Sequence, residues 1–201
     1  MIKNVILDVG DVLVEWDWEG FFEYLGYRED DVFDDLARYT VLSHRWSDLD
    51  RGVKGDDEVI REMCEVAPMY ENEILNVMEH IGEAVIQFKY TKKWINEIKQ
   101  SGRKVYILSN YSRHLFEQTA EEELDFLDLV DGAVFSFNEH YIKPENEIYN
   151  ILLDRYDLKA EECVFIDDRE ENIEAAAGLG FNTILFEDYD AVHDALAEML
   201  D

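Results

Sequence analysis

The sequence predicts an α/β protein: a parallel β-sheet covered by helices on both faces and interrupted once by a helical insertion. Three observations carry this. Short apolar runs recur along the chain and alternate with helix-like stretches, the pattern of parallel strands joined by helical crossovers. One long stretch, residues 16–86, breaks the alternation and offers only amphipathic helical patterning, with no convincing strand. The length, 201 residues, suits one domain or one domain carrying an insertion.

The elements follow in order. Val5-Ile6-Leu7 is apolar without alternation, as a strand buried on both faces must be. Trp16 and Trp18 stand where the chain leaves that strand and are read as packing at the junction. Within the insertion, Phe21, Phe22 and Leu25 fit one helix face, Val32, Phe33 and Leu36 a second, and Val59, Ile60 and Met63 a third. Lys89 to Gln100 predicts the helix that returns to the sheet. Val105-Tyr106-Ile107-Leu108 and Ala133-Val134-Phe135 are the next strands, followed by a helix over Glu145 to Tyr156. Cys163-Val164-Phe165-Ile166 is the fourth strand and Thr183-Ile184-Leu185-Phe186 the fifth. The helix between them, Glu170 to Leu179, is stopped by Gly180. The division is therefore residues 1–15 and 87–201 for the sheet domain and residues 16–86 for the insertion.

Charge narrows the functions. The chain has 18 Lys and Arg against 48 Asp and Glu, a formal charge of −30. Such a protein repels nucleic acid and anionic membrane surfaces, and no basic patch offsets this. A composition 47% hydrophobic and 13% aromatic argues against disorder, and only two Pro and ten Gly leave no room for a flexible linker. Acidic runs such as Glu29-Asp30-Asp31 and Glu121-Glu122-Glu123 are expected to be solvated surface. Cys64 and Cys163 match no metal or redox spacing and are read as buried reduced thiols. The five histidines, His44, His80, His114, His140 and His193, show no metal-ligand spacing. Neither a transmembrane run nor a signal peptide is visible, so a cytoplasmic protein is expected, as monomer or homodimer.

In open α/β sheets, ligands bind beyond the carboxyl ends of the strands. The first strand ends in Asp8, the second in Ser109-Asn110, and the fourth in Asp167-Asp168, while the loop after the third reaches Lys143-Pro144. Singly, each has an ordinary explanation as a cap or turn. Jointly, they bring carboxylates, a hydroxyl and a lysine to one rim.

This order resembles the haloacid dehalogenase (HAD) superfamily, and the resemblance covers nearly the whole chain. Asp8 matches that family's nucleophile, Ser109 its second motif, Lys143 its third and Asp167-Asp168 its acidic fourth, which continues through Arg169-Glu170-Glu171-Asn172. The resemblance implies a Rossmann-like core with a C1-type helical cap at residues 16–86. The sequence looks closest to the branch that includes phosphatases of the α-D-glucose-1-phosphate type. The resemblance also implies a Mg²⁺-dependent phosphatase acting on a small phosphate ester, a sugar phosphate in particular, through an aspartyl-phosphate on Asp8. Asp8, Asp168 and the Gly10 carbonyl would hold Mg²⁺, with Asp167 and Asn172 in support. Lys143 would be the second cation, contacting phosphate and Asp8, and Ser109 with the Asn110 backbone N–H would bind phosphate oxygens. In the cap, Arg45-Trp46 and Asp50-Arg51-Gly52 lie in a stretch that resembles the substrate-facing region of related caps, where Arg and Trp could bind a hydroxyl-rich or anionic group, although packing of Trp46 and ion pairing of Arg51 explain them equally well.

One position departs from the family's pattern. Most of its phosphatases carry an Asp two residues after the nucleophile as general acid and base; here it is Gly10, as in the branch resembled. The adjacent Asp11 reads better as a turn residue. Three outcomes stay open: a leaving group that needs little protonation, acid–base work from the cap or a bound water, or a catalytically weak phosphate-binding protein. A metal-independent dehalogenase is a further alternative, disfavoured by the acidic pair. A receiver-like module is disfavoured because its acidic pair follows the first strand.

Overall fold

The structure, a computed structural model, describes residues 1–28 and 31–200. Of the acidic run Glu29-Asp30-Asp31, the first two residues and the third side chain lie outside the described residues. The chain begins with β1 (Asn4–Leu7) and β2 (Val14–Trp16) and enters five helices: α1 (Trp18–Tyr24), α2 (Asp31–Tyr39), α3 (His44–Arg51), α4 (Asp56–Val66) and α5 (Glu71–His80). It returns through β3 (Val85–Gln87) and α6 (Thr91–Gln100) to β4 (Lys104–Ser109). Next come α7 (Arg113–Thr119), β5 (Gly132–Phe135), α8 (Ser136–Glu139) and α9 (Asn146–Tyr156). The chain closes with β6 (Cys163–Asp167), α10 (Glu170–Gly178), β7 (Asn182–Leu185) and α11 (Tyr189–Leu200).

The main sheet runs β5-β4-β1-β6-β7 with every pairing parallel. Strand alternation sorts its side chains to two faces. Val5, Leu7, Ile107 and Ile166 join Trp94 and Ile98 of α6 in one cluster. Ile6, Leu108 and Phe165 join Ile148, Tyr149 and Leu152 of α9 in the other. Each such buried side chain contributes roughly 1.5–3 kcal/mol relative to exposure, which is why these short apolar runs are strands. Chain order reverses between β1 and β6, so the crevice beyond their carboxyl ends is where a ligand site is expected.

The insertion differs from its expected description at its two ends. Residues 16–86 were expected to hold no strand, yet Trp16 closes β2 and Val85-Ile86 open β3, which pair antiparallel with Trp16 opposite Val85. Three residues apiece, broken by Glu15 and Gln87, are too short for a periodic signal; the pairing forms only because the chain leaves and re-enters the sheet domain side by side. Inside the insertion, Phe21, Phe22, Leu36, Val59, Ile60 and Met63 are buried, and Leu25, Val32 and Phe33 are half-buried against the same core.

Two further expectations meet the structure. Cys64 and Cys163 are buried free thiols. Glu121 and Glu122 are exposed, whereas Glu123 is half-buried and accepts the backbone N–H of Gln87 at 2.5 Å. That acid terminates β3 and is not simply solvated. Among the described residues, no helix is long and apolar enough to cross a membrane.

One contact fixes the inserted helices on the sheet domain. Gly52 ends α3 in the left-handed region, at φ 63°. A Cβ there would lie 2.4 Å from the Phe137 carbonyl oxygen. Only glycine meets both demands, so α3 can press its C-terminal turn against α8.

Candidate active site

Asp8 follows β1 directly, and its backbone N–H donates to the Ile166 carbonyl of β6 at 3.0 Å, which sets its carboxylate at the crevice between the two strands. Asp8 Oδ1 accepts the Val9 N–H at 2.7 Å and lies 2.8 Å from Lys143 Nζ. No described residue donates to Oδ2. Lys143 is 3% exposed, and its ammonium also reaches Asp167 Oδ2 at 2.6 Å. The Asn110 side chain holds the lysine's backbone from both sides: its Oδ1 accepts the Lys143 N–H at 2.7 Å and its Nδ2 donates to the Lys143 carbonyl at 3.0 Å. Asp167 is fully buried; its Oδ1 accepts from the Arg169 N–H at 2.9 Å and from Asn172 Nδ2 at 2.8 Å.

Two carboxylates therefore hold one ammonium, with the Asp168 carboxylate near both. Burial pushes the Asp8 carboxyl up to about 7, and the charges of Asp167 and Asp168 add to this, against the pull of Lys143. Asp168 rises to about 6, through burial and the charges of Asp167 and Asp11. Burial works against the Lys143 charge as well, but Asp8 and Asp167 outweigh it and hold that pKa above its ordinary value. Oxygens of Asp8, Asp167 and Asp168 all lie within 4.8 Å of one another. The donor set is all oxygen and acidic, which suits a hard divalent cation, and such an ion would relieve the excess negative charge. Asp167 is committed to Lys143, Arg169 and Asn172. The oxygens left for a cation are those of Asp8, Asp168 and the Gly10 carbonyl, which the short Gly10–Val14 bridge leaves unused because it runs through the Val9 carbonyl and the Asp11 N–H.

A cavity of about 630 Å³ opens over these groups. Asp8, Gly10, Asn110, Lys143 and Asp168 line its floor. Ser109, expected to bind phosphate, is 1% exposed and does not line the cavity; its hydroxyl lies 3.5 Å from the Asn110 carbonyl. Trp46 of α3 lines the opposite wall with Trp16, their ring centroids 5.4 Å apart. Trp16 thus does more than pack at the junction.

The two cap arginines are placed elsewhere. Arg51 reaches Glu145 through two bonds, of 2.7 and 2.9 Å, and ties α3 to the loop that carries Lys143. Arg45 faces Glu62 at 4.0 Å, with its Nε buried and without a hydrogen-bond partner among the described residues. Neither lines the cavity. Acidic neighbours decided this, and their proximity depends on tertiary packing. Asp11 adopts φ 55° and accepts the Trp16 N–H at 3.1 Å, the behaviour of a turn residue.

Sequence reasoning placed Asp50 in the substrate-facing stretch without a role of its own, and missed Ser136. Asp50 lines the cavity from α3, and its backbone carbonyl accepts the Ser136 hydroxyl at 2.6 Å. Ser136 also accepts the Tyr111 N–H at 2.9 Å, linking the insertion to the loop after β4. Two residues ahead of the glycine that seats α3, Asp50 carried a positional signal, though a faint one.

The chain is similar to known proteins. The chain is 27% identical over 183 residues to a sesquiterpene phosphatase of Aspergillus oryzae, spanning 89% of this chain and 86% of that protein. It is 24% identical over 201 residues to a D-ribitol-5-phosphate phosphatase of Bacteroides thetaiotaomicron, spanning 91% of each. A HAD family enzyme of Bacteroides thetaiotaomicron, solved in complex with magnesium and inorganic phosphate, superposes with a TM-score of 0.76 at 20% identity, over 96% of this chain and 99% of that one; this likeness speaks for the fold alone. Residues 2–180 match the model of one family. With the parallel sheet, the acid after β1 and the acidic pair after β6 in place, the chain belongs to the haloacid dehalogenase-like hydrolases.

Proposed function

We propose that this protein is a Mg²⁺-dependent phosphatase that hydrolyses a small sugar or polyol monophosphate through an aspartyl-phosphate on Asp8. The observation that carries the reading is the Lys143 ammonium held between Asp8 and Asp167, beside Asp168 at the sheet's switch point. A phosphate dianion and a carboxylate nucleophile repel one another, so attack needs cations on both. Lys143 supplies one. Bound Mg²⁺, held by Asp8, Asp168 and the Gly10 carbonyl, would supply the other as a Lewis acid on phosphate oxygen. Asp167 and Asn172 orient the lysine and the acidic loop, and the Asn110 side chain fixes the backbone of Lys143.

The substrate class rests on the wall facing the floor. Trp16 and Trp46 offer apolar ring faces, and Asp50, Ser43 and Ser47 offer polar groups for hydroxyls. That combination suits a polyol, whose C–H faces stack on aromatics while its hydroxyls pair. Arg51 is held by Glu145, and neither Arg45 nor Arg51 lines the cavity, so neither is placed for a second phosphate. The inserted helices, residues 16–86, act on this reading as a C1-type cap over residues 1–15 and 87–201, in the manner of the α-D-glucose-1-phosphate phosphatase branch.

The test is a phosphate-ester panel with MgCl₂, including hexose 1- and 6-phosphates, pentitol phosphates and sugar bisphosphates. Turnover of sugar monophosphates that EDTA and Asp8→Asn each abolish is the expected result. Full activity in EDTA, or no turnover of any ester, would sink the proposal.

A further inference from the structure

We propose that Asp50, contributed by the inserted helices, is the general acid and base of this phosphatase, donating the proton to the departing alcohol and taking one from the attacking water. The inference rests on the proposed phosphatase activity and names the group that performs its proton transfers.

An ester oxygen leaving phosphorus as an alkoxide needs a proton, and the structure narrows what can give it. Of the ionisable groups lining the cavity, Asp8 is the nucleophile and Asp168 faces the proposed cation. Lys143 is pinned between two carboxylates that hold its proton. Arg169 does not release a proton in this range, and Glu171 is ion-paired to it at 2.5 Å. Asp11 is bound to the Trp16 N–H, and the Tyr111 hydroxyl, whose pKa burial pushes up, is bonded to Thr119 Oγ1 at 3.0 Å. Asp50 remains. No described residue bonds its carboxyl, and it lines the same cavity as Asp8 from the inserted helices, close enough for the charges of Lys143 and Asp8 to act on it.

Its placement is built. The Asp50 carbonyl accepts the Ser136 hydroxyl, Arg51 grips Glu145, and Gly52 seats the helix end on Phe137. Three consecutive residues of α3 and its cap thus dock on the sheet domain, and Asp50 is the one aimed at the cavity. The groups acting on it are Lys143, Asp8 and Arg169. Burial, with the charge of Asp8, raises its carboxyl to about 7 against the pull of Lys143 and Arg169, so both protonation states are accessible near neutrality.

The chemistry balances. As Asp8 oxygen bonds to phosphorus, the bond from phosphorus to the ester oxygen breaks, and that oxygen takes the Asp50 proton and leaves as alcohol. Asp50 carboxylate then removes a proton from water. The water oxygen bonds to phosphorus, the bond to Asp8 breaks, and inorganic phosphate leaves with Asp8 again a carboxylate and Asp50 again protonated.

The fold also leaves room beside the nucleophile. A Cβ on Gly10 would meet no atom within 4 Å, and its φ is not positive. A carboxylate introduced there would enter the same cavity from the floor and could replace Asp50.

The test uses the full chain with MgCl₂ and the isosteric Asp50→Asn variant, with glucose 6-phosphate and p-nitrophenyl phosphate as probes. Turnover of glucose 6-phosphate should fall by about 10²–10⁴-fold. With p-nitrophenyl phosphate, whose leaving group needs no proton, the variant should release about one equivalent of p-nitrophenolate in a burst and then turn over slowly, because water activation is lost while attack by Asp8 is not. Adding Gly10→Asp should recover at least about tenfold on glucose 6-phosphate. An Asp50→Asn enzyme within threefold of the parent on glucose 6-phosphate, or one that loses the burst together with turnover, overturns the assignment. A parent enzyme inactive on both probes overturns the phosphatase reading instead.

Discussion

Replacing Lys143 with methionine separates electrostatic from packing contributions at the site. Methionine keeps most of the apolar stem and removes the ammonium, leaving Asp8 and Asp167 facing each other without a cation. The lysine side chain is 1% exposed, and the two carboxylates lie 2.8 and 2.6 Å from its Nζ with 9% and 0% exposure. Breaking a buried pair from one side costs about 3–5 kcal/mol, since a charge is left buried and uncompensated. For a protein of this size that corresponds to a fall in Tm of roughly 6–20 °C. The pH dependence comes from the direction of the Asp8 shift. Its folded pKa, about 7, lies above its ordinary 3.8, so the folded state holds the proton more tightly and stability falls as pH rises between the two values. Removing Lys143 raises Asp8 further and extends that fall to higher pH. At pH 8 Asp8 is ionised in the parent protein and the full loss is expected; at pH 5.5 it is protonated and the loss shrinks. Thermal unfolding followed by circular dichroism in EDTA, at both pH values, measures this. A Tm deficit equal at the two pH values, or larger at pH 5.5, would refute the electrostatic account and leave lost packing as the cause.

Four other outcomes are expected. In EDTA, Asp50→Asn should gain stability over the parent at pH 8 but not at pH 4, by no more than about 4 kcal/mol, because the Asp50 carboxyl is held at about 7, above its ordinary 3.8; urea unfolding at the two pH values measures it. Arg51→Ala should cost less than about 1 kcal/mol of stability, since its pair with Glu145 is partly solvated, yet lower kcat/KM for sugar phosphates by loosening α3; equal kcat/KM would argue against that tie. Trp46→Ala should raise KM for a hexose phosphate by roughly 2- to 12-fold, the range of an aromatic contact, with little change in KM for acetyl phosphate. Added KCl should raise kcat/KM or leave it unchanged, because screening weakens repulsion between a chain of charge −30 and an anionic substrate; a steep fall would refute this.

The strands were legible because each is an unbroken apolar run between helix-like stretches, and that pattern has one stable layered solution. Asp8, Ser109, Lys143 and Asp167-Asp168 were legible as candidates because strand ends are visible in sequence and α/β sheets gather ligands at those ends. The short strands β2 and β3 were not, because three-residue runs carry no period. Arg45 and Arg51 could be read as facing substrate or, for Arg51, as ion-paired, and the choice was made by helix packing that no local pattern encodes, which brings Glu145 to Arg51 and Glu62 near Arg45. Asp50 was legible only as a member of the substrate-facing stretch: its place in the cavity wall depends on Gly52 approaching Phe137 and on Ser136 meeting its carbonyl.

The sequence by itself determined the parallel sheet, the helical insertion after the first strand and the acidic, lysine-bearing rim, since hydrophobic burial and strand direction are local to each run. Only the tertiary structure decided which ionisable groups share a charge. Lys143 is 135 residues from Asp8 along the chain and Asp50 lies in another block of helices, and Coulomb interaction and burial depend on distance in space. The rim's chemistry, one ammonium among three carboxylates with a fourth carboxyl across the cavity, is therefore a property of the folded chain.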